Sequence, residues 1–287
     1  LEAQGDALAT FGGFELALLD AAGQRFGFAL ADVLGGLRGP ELPAGVIIGF
    51  EIPTDQLPRH CAALRFGKRR HIKVKVGLPD DEARMAIVAG VFGDLPIRID
   101  ANAAWPAEVA VQRLRALARF PIASVEQPVG KDDLAGLRRI RRETGMKVMA
   151  DESVCTLADA RALAEGQAAD VFNIRLGKHG GVLAAARICE LAREVGIEVS
   201  LGTMVGETGV LSRASEVFGR CVPGFDCLDG KGQNRHLLAE DVLAPDPPRD
   251  DAPGLGVRVD IDRVHALSSR EPIYHRQRSR PRPQGQP

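Results

Sequence analysis

The chain has 287 residues, of which 45% are hydrophobic and 26% are charged, and its formal net charge is −1. This balance excludes the strongly basic surface expected of a nucleic-acid-binding protein and the charge excess of a disordered acidic chain. The five cysteines are odd in number and form no close Cys-x-x-Cys pair, which indicates free thiols and a cytoplasmic protein. No secretory signal or membrane span is visible, so we expect neither nucleic acid nor a membrane as a partner.

The chain opens with helical sequence. Residues 13–36 predict helix, and this material comes before the first predicted strand. It therefore belongs to no strand–helix unit and needs a surface to pack on. We expect residues 1–42 to form a helical segment outside the main domain.

Short β-rich runs then alternate with amphipathic helical patterns about seven times. The predicted strands cover 46–52, 71–76, 97–100, 122–126, 147–151, 171–176 and 197–201, with a less regular eighth at 225–228. The predicted helices cover 79–92, 106–119, 132–144, 157–165, 182–195 and 208–218. This alternation requires a parallel sheet, and so many evenly spaced units favour a TIM-type (β/α)7β barrel over 43–242. An open doubly wound sheet is the alternative.

The end of the chain differs from this repeat. Residues 243–267 are rich in Pro and Asp, with a strand predicted at 256–259, and we expect them to return to the N-terminal helices. Residues 268–287 are rich in Arg, Pro and Gln, which is typical of a disordered tail.

Three acidic residues stand where predicted strands end, namely Asp100, Glu126 and Asp151. They are separated by 26 and 25 residues, about the length of one strand–helix unit. Their carboxylates should therefore converge on one mouth of the barrel. Converging carboxylates repel one another unless a hard divalent cation neutralises them, and oxygen ligands favour magnesium or manganese.

The second predicted strand carries two lysines, Lys73 and Lys75, which alternate with apolar residues and so face the same side. Nearby positive charge and partial desolvation favour the uncharged amine of a lysine, which can then act as a base. The same alternation turns polar residues of the third and sixth strands to one side: Arg98, Asp100, Asn102, Asn173 and Arg175.

Together these motifs resemble the enolase superfamily, and within it the muconate lactonizing enzyme subgroup, which also contains dipeptide epimerases and succinylbenzoate synthases. The matching segments are Lys73-Val-Lys75, Asp100-Ala-Asn102, Val125-Glu126-Gln127-Pro128, Ala150-Asp151-Glu152-Ser153 and Asn173-Ile-Arg175-Leu-Gly-Lys178-His-Gly180-Gly181. The resemblance extends from about residue 10 to about residue 262. It implies an enzyme that removes the proton next to a carboxylate and forms a metal-stabilised enediolate.

The resemblance also implies roles for individual residues. Asp100, Glu126 and Asp151 would bind Mg²⁺, or Mn²⁺ in its place. Lys75 would be the base, and Lys73 would hold the carboxylate of the substrate. The implied partner is a small carboxylate, and family members commonly form homo-oligomers.

The chain departs from the family at the sixth strand, where relatives that racemise or epimerise their substrates carry a second lysine and this chain has Arg175. Arginine stays protonated and is not a normal base. We therefore expect one-base chemistry, such as cycloisomerisation or dehydration, with racemisation or epimerisation of amino-acid derivatives or dipeptides as the alternative. Lys178 is out of phase with Arg175 on a strand and is a poor replacement. Arg175 could equally serve to pair with Asp151 or Glu126.

A second departure lies at the N-terminus. Family members usually begin with an α+β capping segment, whereas this chain enters at the helical part of that segment. Residues 1–42 are therefore interpreted as a remnant of the cap, joined by residues 243–267.

Several polar residues remain candidates for substrate binding: Asn102, Asn173, Lys178, Glu207 and Asp226. Glu207 is explained almost as well by its place at a helix start. Asp226 and its neighbour Asp229 are candidates for contacting a substrate amine. Two further hypotheses are a catalytically silent barrel retained for binding or assembly, and a barrel phosphatase or aldolase that uses Lys75 as a Schiff base.

Overall fold

Eight parallel strands follow one another around a closed barrel in chain order, which confirms the predicted barrel. The computed structural model describes residues 5–67, 69, 71–232, 238 and 240–268. The strands are β1 Ala44–Ile48, β2 Ile72–Lys75, β3 Ile97–Asp100, β4 Ile122–Glu126, β5 Lys147–Ala150, β6 Val171–Ile174, β7 Glu198–Gly202 and β8 Leu228–Asp229. The barrel closes where β1 pairs with β8.

A helix or a helix pair connects each strand to the next. These helices are α3 Leu57–Phe66, α4 Asp81–Phe92, α5 Ala107–Leu117, α6 Leu134–Thr144, α7 Leu157–Glu165, α8 Leu176–His179, α9 Val182–Val195 and α10 Gly209–Cys221. Alternate strand residues such as Ile72, Val74, Ile97 and Ile99 have no exposed surface, and they form the apolar core with the helices. The polar residues between them face the interior of the barrel.

The N-terminal helical material forms two helices, α1 Gly5–Phe26 and α2 Leu30–Val33. The prediction of one continuous helix over 13–36 is wrong because the chain turns at Gly27, whose φ is +80°. α1 lies very close to the barrel, since a Cβ at Gly12 would stand 3.2 Å from the backbone nitrogen of Gly181.

The C-terminal segment packs against α1. The Asp20 carboxylate accepts a hydrogen bond of 2.8 Å from the backbone nitrogen of Leu255. The predicted strand at 256–259 is reduced to a single antiparallel bridge between Leu243 and Val259. A short helix that the sequence analysis did not predict follows, α11 Ile261–Leu267. The tail predicted to be disordered lies outside the described residues from position 269 onward.

A search of the described helices finds none with the length and apolar character needed to cross a membrane.

Candidate active site

A cavity of about 570 Å³ opens at the carboxyl end of the strands. We call it the mouth cavity. Its lining contains most of the predicted site residues: Lys73, Lys75, Asp100, Asn102, Glu126, Asp151, Asn173 and Arg175. The structure therefore brings the three acidic residues and both lysines to one place.

Strand register explains this convergence. Lys75 pairs with Asp100 across β2 and β3, and Asp100 pairs with Glu126 across β3 and β4. Asp151 follows the last residue of β5 directly. Because the barrel strands are parallel, these residues lie at the same end. All three carboxylates are almost fully buried, with 1% to 2% of each residue exposed.

Glu126 lies between a cation and an amide. Its Oε2 atom accepts a hydrogen bond of 2.9 Å from Lys73 Nζ, and its Oε1 atom accepts one of 2.7 Å from Asn173 Nδ2. Burial raises the pKa of Glu126 to about 7, against the opposing effect of Lys73 and with the help of the nearby negative charges of Asp100 and Asp151. Negative charge at Glu126 is therefore incompletely compensated.

Asp151 lies in the opposite situation. Arg175 Nη2 donates to both carboxylate oxygens of Asp151, and Lys178 Nζ donates to Oδ1 at 2.8 Å. Burial opposes ionisation of Asp151, but the charges of Lys178 and Arg175 outweigh it and hold the pKa of this carboxyl well below its usual range. Two cations thus compensate a single carboxylate.

The two lysines of β2 differ in their surroundings. Lys73 is buried, and its Nζ lies 2.9 Å from Glu126, 3.6 Å from Asp100 and 3.7 Å from Asp229. Burial opposes its charge, but these carboxylates together raise its pKa, so Lys73 is a fixed cation. Lys75 is more exposed, and its Nζ donates to Asp100 Oδ2 at 2.6 Å and to the amide oxygen of Asn102. Of the two, Lys75 has the side chain that is more accessible from the mouth cavity.

The donor set suits a hard divalent cation. Three buried carboxylates at neighbouring strand ends face one cavity, and burial together with their mutual repulsion disfavours the ionised form of Glu126, which a bound cation would offset. Their oxygens are, however, turned toward lysine, arginine and asparagine side chains. Over the part of the chain that the structure describes, no three Asp, Glu, His or Cys side chains are spaced to hold an ion as they stand. Binding of a divalent cation therefore requires some of these contacts to open.

Asp229 is the acidic residue of β8 that reaches the mouth cavity. Its carboxylate accepts a hydrogen bond from Arg98 and lies near Lys73. Asp226, the neighbour predicted to bind substrate, instead lines a separate cavity with Arg98 and Ser124. That prediction is wrong because Asp226 precedes β8 and therefore lies at the amino end of the barrel.

Two other predicted substrate-binding residues do not line the mouth cavity. Glu207 accepts hydrogen bonds from the backbone of Met204 and the hydroxyl of Ser212, so it shapes the turn before α10. Lys178 lies on α8 and donates to the backbone oxygens of Asp151 and Asn173, each at 2.7 Å, as well as to the Asp151 carboxylate. Because a helix replaces the predicted end of the sixth strand, Lys178 turns back toward the barrel.

The outer wall of the mouth cavity, which was not predicted from the sequence, includes Phe50, Glu51 and Val205. Phe50 and Glu51 lie in the loop after β1, where the sequence predicted strand. Buried Arg84 fixes this loop by donating hydrogen bonds of 2.8 Å to the carbonyl oxygens of Gly49 and Ile52. Arg84 is a basic residue in an amphipathic helix, and nothing in this pattern indicated that it would contact the loop after β1.

Comparison with known proteins agrees with the geometry. A family model described as "Enolase C-terminal domain-like" matches residues 57–264. o-Succinylbenzoate synthase of Bacillus subtilis (strain 168) is 30% identical over 269 residues, which cover 91% of this chain and 71% of that protein. Muconate cycloisomerase 1-2 of Acinetobacter lwoffii is 31% identical over 268 residues, which cover 88% of this chain and 68% of that protein.

Solved structures of related enzymes also match the chain over most of its length. Muconate lactonizing enzyme from Pseudomonas putida has a TM-score of 0.81 and 26% identity, covering 93% of this chain and 76% of that chain. Dipeptide epimerase from Enterococcus faecalis V583 has a TM-score of 0.77 and 28% identity, covering 88% of this chain and 75% of that chain. The chain is therefore an enzyme of the enolase superfamily and belongs to its mandelate racemase/muconate lactonizing enzyme family.

Proposed function

We propose that this enzyme removes the proton next to the carboxylate of a small organic acid, with Lys75 as the only base. The observation that carries the proposal is the arrangement of the mouth cavity, in which Lys75 faces a fixed cation and three buried carboxylates. Members of the superfamily generally use Mg²⁺. In this chain Asp100, Glu126 and Asp151 would hold the ion, which would supply positive charge to the carboxylate oxygens of the substrate.

The chemical difficulty is the weak acidity of a proton next to a carboxylate, because its removal leaves a dianionic enediolate. A site accelerates this step only if it stabilises that charge more strongly than it stabilises the ground state. Lys73 is suited to this task, since its charge is fixed by Glu126, Asp100 and Asp229. Asn102 accepts a hydrogen bond from Lys75 and so positions the amine at the cavity wall.

The residue opposite Lys75 supports the proposed reaction class. Arg175 lines the mouth cavity on the β6 side and pairs with Asp151. A guanidinium cannot exchange a proton near neutral pH, so Arg175 offers no base to the second face of the substrate. This favours cycloisomerisation or dehydration over racemisation or epimerisation.

Exchange of the substrate proton with solvent deuterium tests the proposal. The protein would be incubated with Mg²⁺ in D₂O and a panel of carboxylates that carry hydrogen on a saturated carbon next to the carboxylate, including dipeptides and N-acylated amino acids. Deuterium at the carbon next to the carboxylate is measured by NMR. We expect Lys75→Ala to lower the exchange rate by at least 10³-fold, in the range set by loss of a general base. The matched control is Lys147→Ala, whose amine pairs with Glu198 and does not line the mouth cavity.

The outcomes separate the hypotheses. Exchange that survives Lys75→Ala contradicts the proposed base. Exchange accompanied by inversion of the carbon centre would identify racemase or epimerase chemistry. A complete lack of exchange with every carboxylate would support the silent barrel, and trapping of Lys75 by borohydride would support Schiff-base chemistry.

A further inference from the structure

Arg175 covers the third of the three carboxylates. Its Nη2 atom donates to both oxygens of Asp151, so the face of this carboxylate that a metal ion would use is occupied by a guanidinium. Asp100 and Glu126 differ in this respect, because a lysine amine contacts one oxygen of each, and the other oxygen accepts a hydrogen bond from an uncharged amide. Among the described contacts, Asp151 is therefore the carboxylate with a cation on both of its oxygens.

The contacts of Arg175 and Lys178 indicate which of these two cations is free to move away from Asp151. Lys178 is held by three acceptors, the Asp151 carboxylate and the backbone oxygens of Asp151 and Asn173, and lies outside the lining of the mouth cavity. Arg175 has Asp151 as its only hydrogen-bond acceptor within the described chain, and its Nε atom is buried without a partner. It also borders the mouth cavity, which offers space for a guanidinium to move into.

Gly202 on β7 makes room for this side chain. A Cβ at Gly202 would stand 3.1 Å from Arg175 Cγ, so the aliphatic part of the arginine lies close to the β7 backbone. The stem is thus confined, while the guanidinium at its end borders the mouth cavity. Rotation about the outer side-chain bonds would carry the guanidinium away from Asp151 toward that cavity.

We propose that Arg175 is an internal counter-ion that competes with the divalent cation for Asp151, so that metal binding requires the guanidinium to withdraw into the mouth cavity. The inference rests on the proposed function, because it takes the three carboxylates to be metal ligands. It gives Arg175 a role separate from proton transfer, namely setting the affinity of the site for its metal. Once withdrawn, the guanidinium faces the place where an anionic substrate would lie.

Metal affinity measured directly tests this proposal. The full chain, freed of metal with a chelator, is titrated with MgCl₂ in a calorimeter and with MnCl₂ under electron paramagnetic resonance. We expect Arg175→Met to lower the Mg²⁺ dissociation constant at least tenfold. Arg175→Lys keeps the charge but contacts a carboxylate less extensively. Its Mg²⁺ dissociation constant should therefore lie between those of the original chain and Arg175→Met. This second variant keeps the test informative if Arg175→Met fails to fold.

Arg98→Met is the matched control, because it makes the same substitution in the same barrel interior. Arg98 pairs with Asp229, which is not one of the three proposed ligands. Its removal should change the Mg²⁺ dissociation constant less than threefold. An equal gain from both variants would show that general loss of positive charge is responsible, and would overturn the inference.

The remaining outcomes keep this inference distinct from the proposed function. Mg²⁺ binding that is unchanged in Arg175→Met overturns the inference and leaves the proposed function intact. Binding that is absent in the original chain but present in Arg175→Met supports the inference. Absence of binding in every variant overturns the metal-dependent function, and the inference with it.

Discussion

Glu126 is the residue at which the electrostatics of the barrel interior are most clearly unbalanced. Its folded-state pKa of about 7 lies above the reference value of 4.5. The folded chain therefore binds this proton more tightly than the unfolded chain, which favours folding at low pH. Stability from this source is complete below pH 4.5, falls between pH 4.5 and 7, and is lost above pH 7.

We expect the metal-free protein to lose about 3 kcal/mol of unfolding free energy through Glu126 as the pH rises across this window. Glu126→Gln should remove that component, as measured by urea denaturation at pH 5 and pH 7. The informative quantity is how the pH dependence of the unfolding free energy differs between the original chain and Glu126→Gln. His179, whose pKa is lowered to about 3 by burial, makes stability rise with pH in both proteins, opposite to the effect of Glu126.

Glu143→Gln is a suitable control for this measurement, since Glu143 lies on the surface of α6 and pairs with exposed Arg139. Its pH dependence over the same window should match that of the original chain. A wild-type slope that persists in Glu126→Gln would show that the raised pKa has been assigned to the wrong group.

Residue-level prediction from sequence succeeded where a side chain belongs to a regular strand. Alternation and strand ends predicted that Lys73, Lys75 and Asp100 would share one cavity. Prediction failed for Asp226, which stands three residues from Asp229 but at the other end of the barrel. The short, irregular β8 gives no periodicity from which that difference could be read.

At the scale of elements, the ends of helices show how local sequence stabilises the barrel. α6 begins after Asp133, whose carboxylate accepts a hydrogen bond of 2.8 Å from the backbone nitrogen of Gly136. This contact satisfies one of the free amide groups at the start of the helix. Gly136 also leaves room for the carboxylate, since a Cβ there would stand 2.2 Å from Asp133 Oδ2.

Asp133→Ala should therefore lower the free energy of unfolding by about 1 kcal/mol. Chemical denaturation measures this change, and Asp132→Ala is the control because Asp132 is the preceding residue, outside the cap contact. Equal losses of unfolding free energy in the two variants would mean that removal of a negative charge, and not loss of the helix cap, is responsible.

Helices and strands with a strong hydrophobic periodicity were predictable from the sequence. The exceptions have local physical causes. The predicted strand over 46–52 ends at Ile48, since the carbonyl oxygens of Gly49 and Ile52 bind Arg84 instead of a neighbouring strand. Helix α3 was not predicted either, because its first turn contains a proline and its surface is largely exposed. The two four-residue helices are too short to produce a detectable helical period.

At the scale of the whole molecule, the outer face of α1 exposes apolar side chains. Phe11, Phe14 and Leu18 are 50%, 67% and 70% exposed, and their spacing places them along one stripe of the helix. An apolar stripe of this kind favours association between protein surfaces. We propose that it contributes to the homo-oligomer expected from the family resemblance.

The double variant Phe14→Gln/Leu18→Gln should accordingly weaken self-association, with a dissociation constant at least tenfold higher in sedimentation velocity experiments. Phe66→Gln is the control, because Phe66 is also highly exposed but lies on α3. If both changes have the same effect, the α1 stripe is not the surface through which copies associate.

Glu15 joins this outer helix to the chemistry inside the barrel. Its carboxylate accepts hydrogen bonds from the backbone nitrogens of Val182 and Leu183 at the start of α9. The preceding turn leads directly from α8, which carries Lys178 against Asp151. The outer helix α1 is consequently linked to a buried carboxylate by a continuous path of two hydrogen bonds, one short helix and one ion pair.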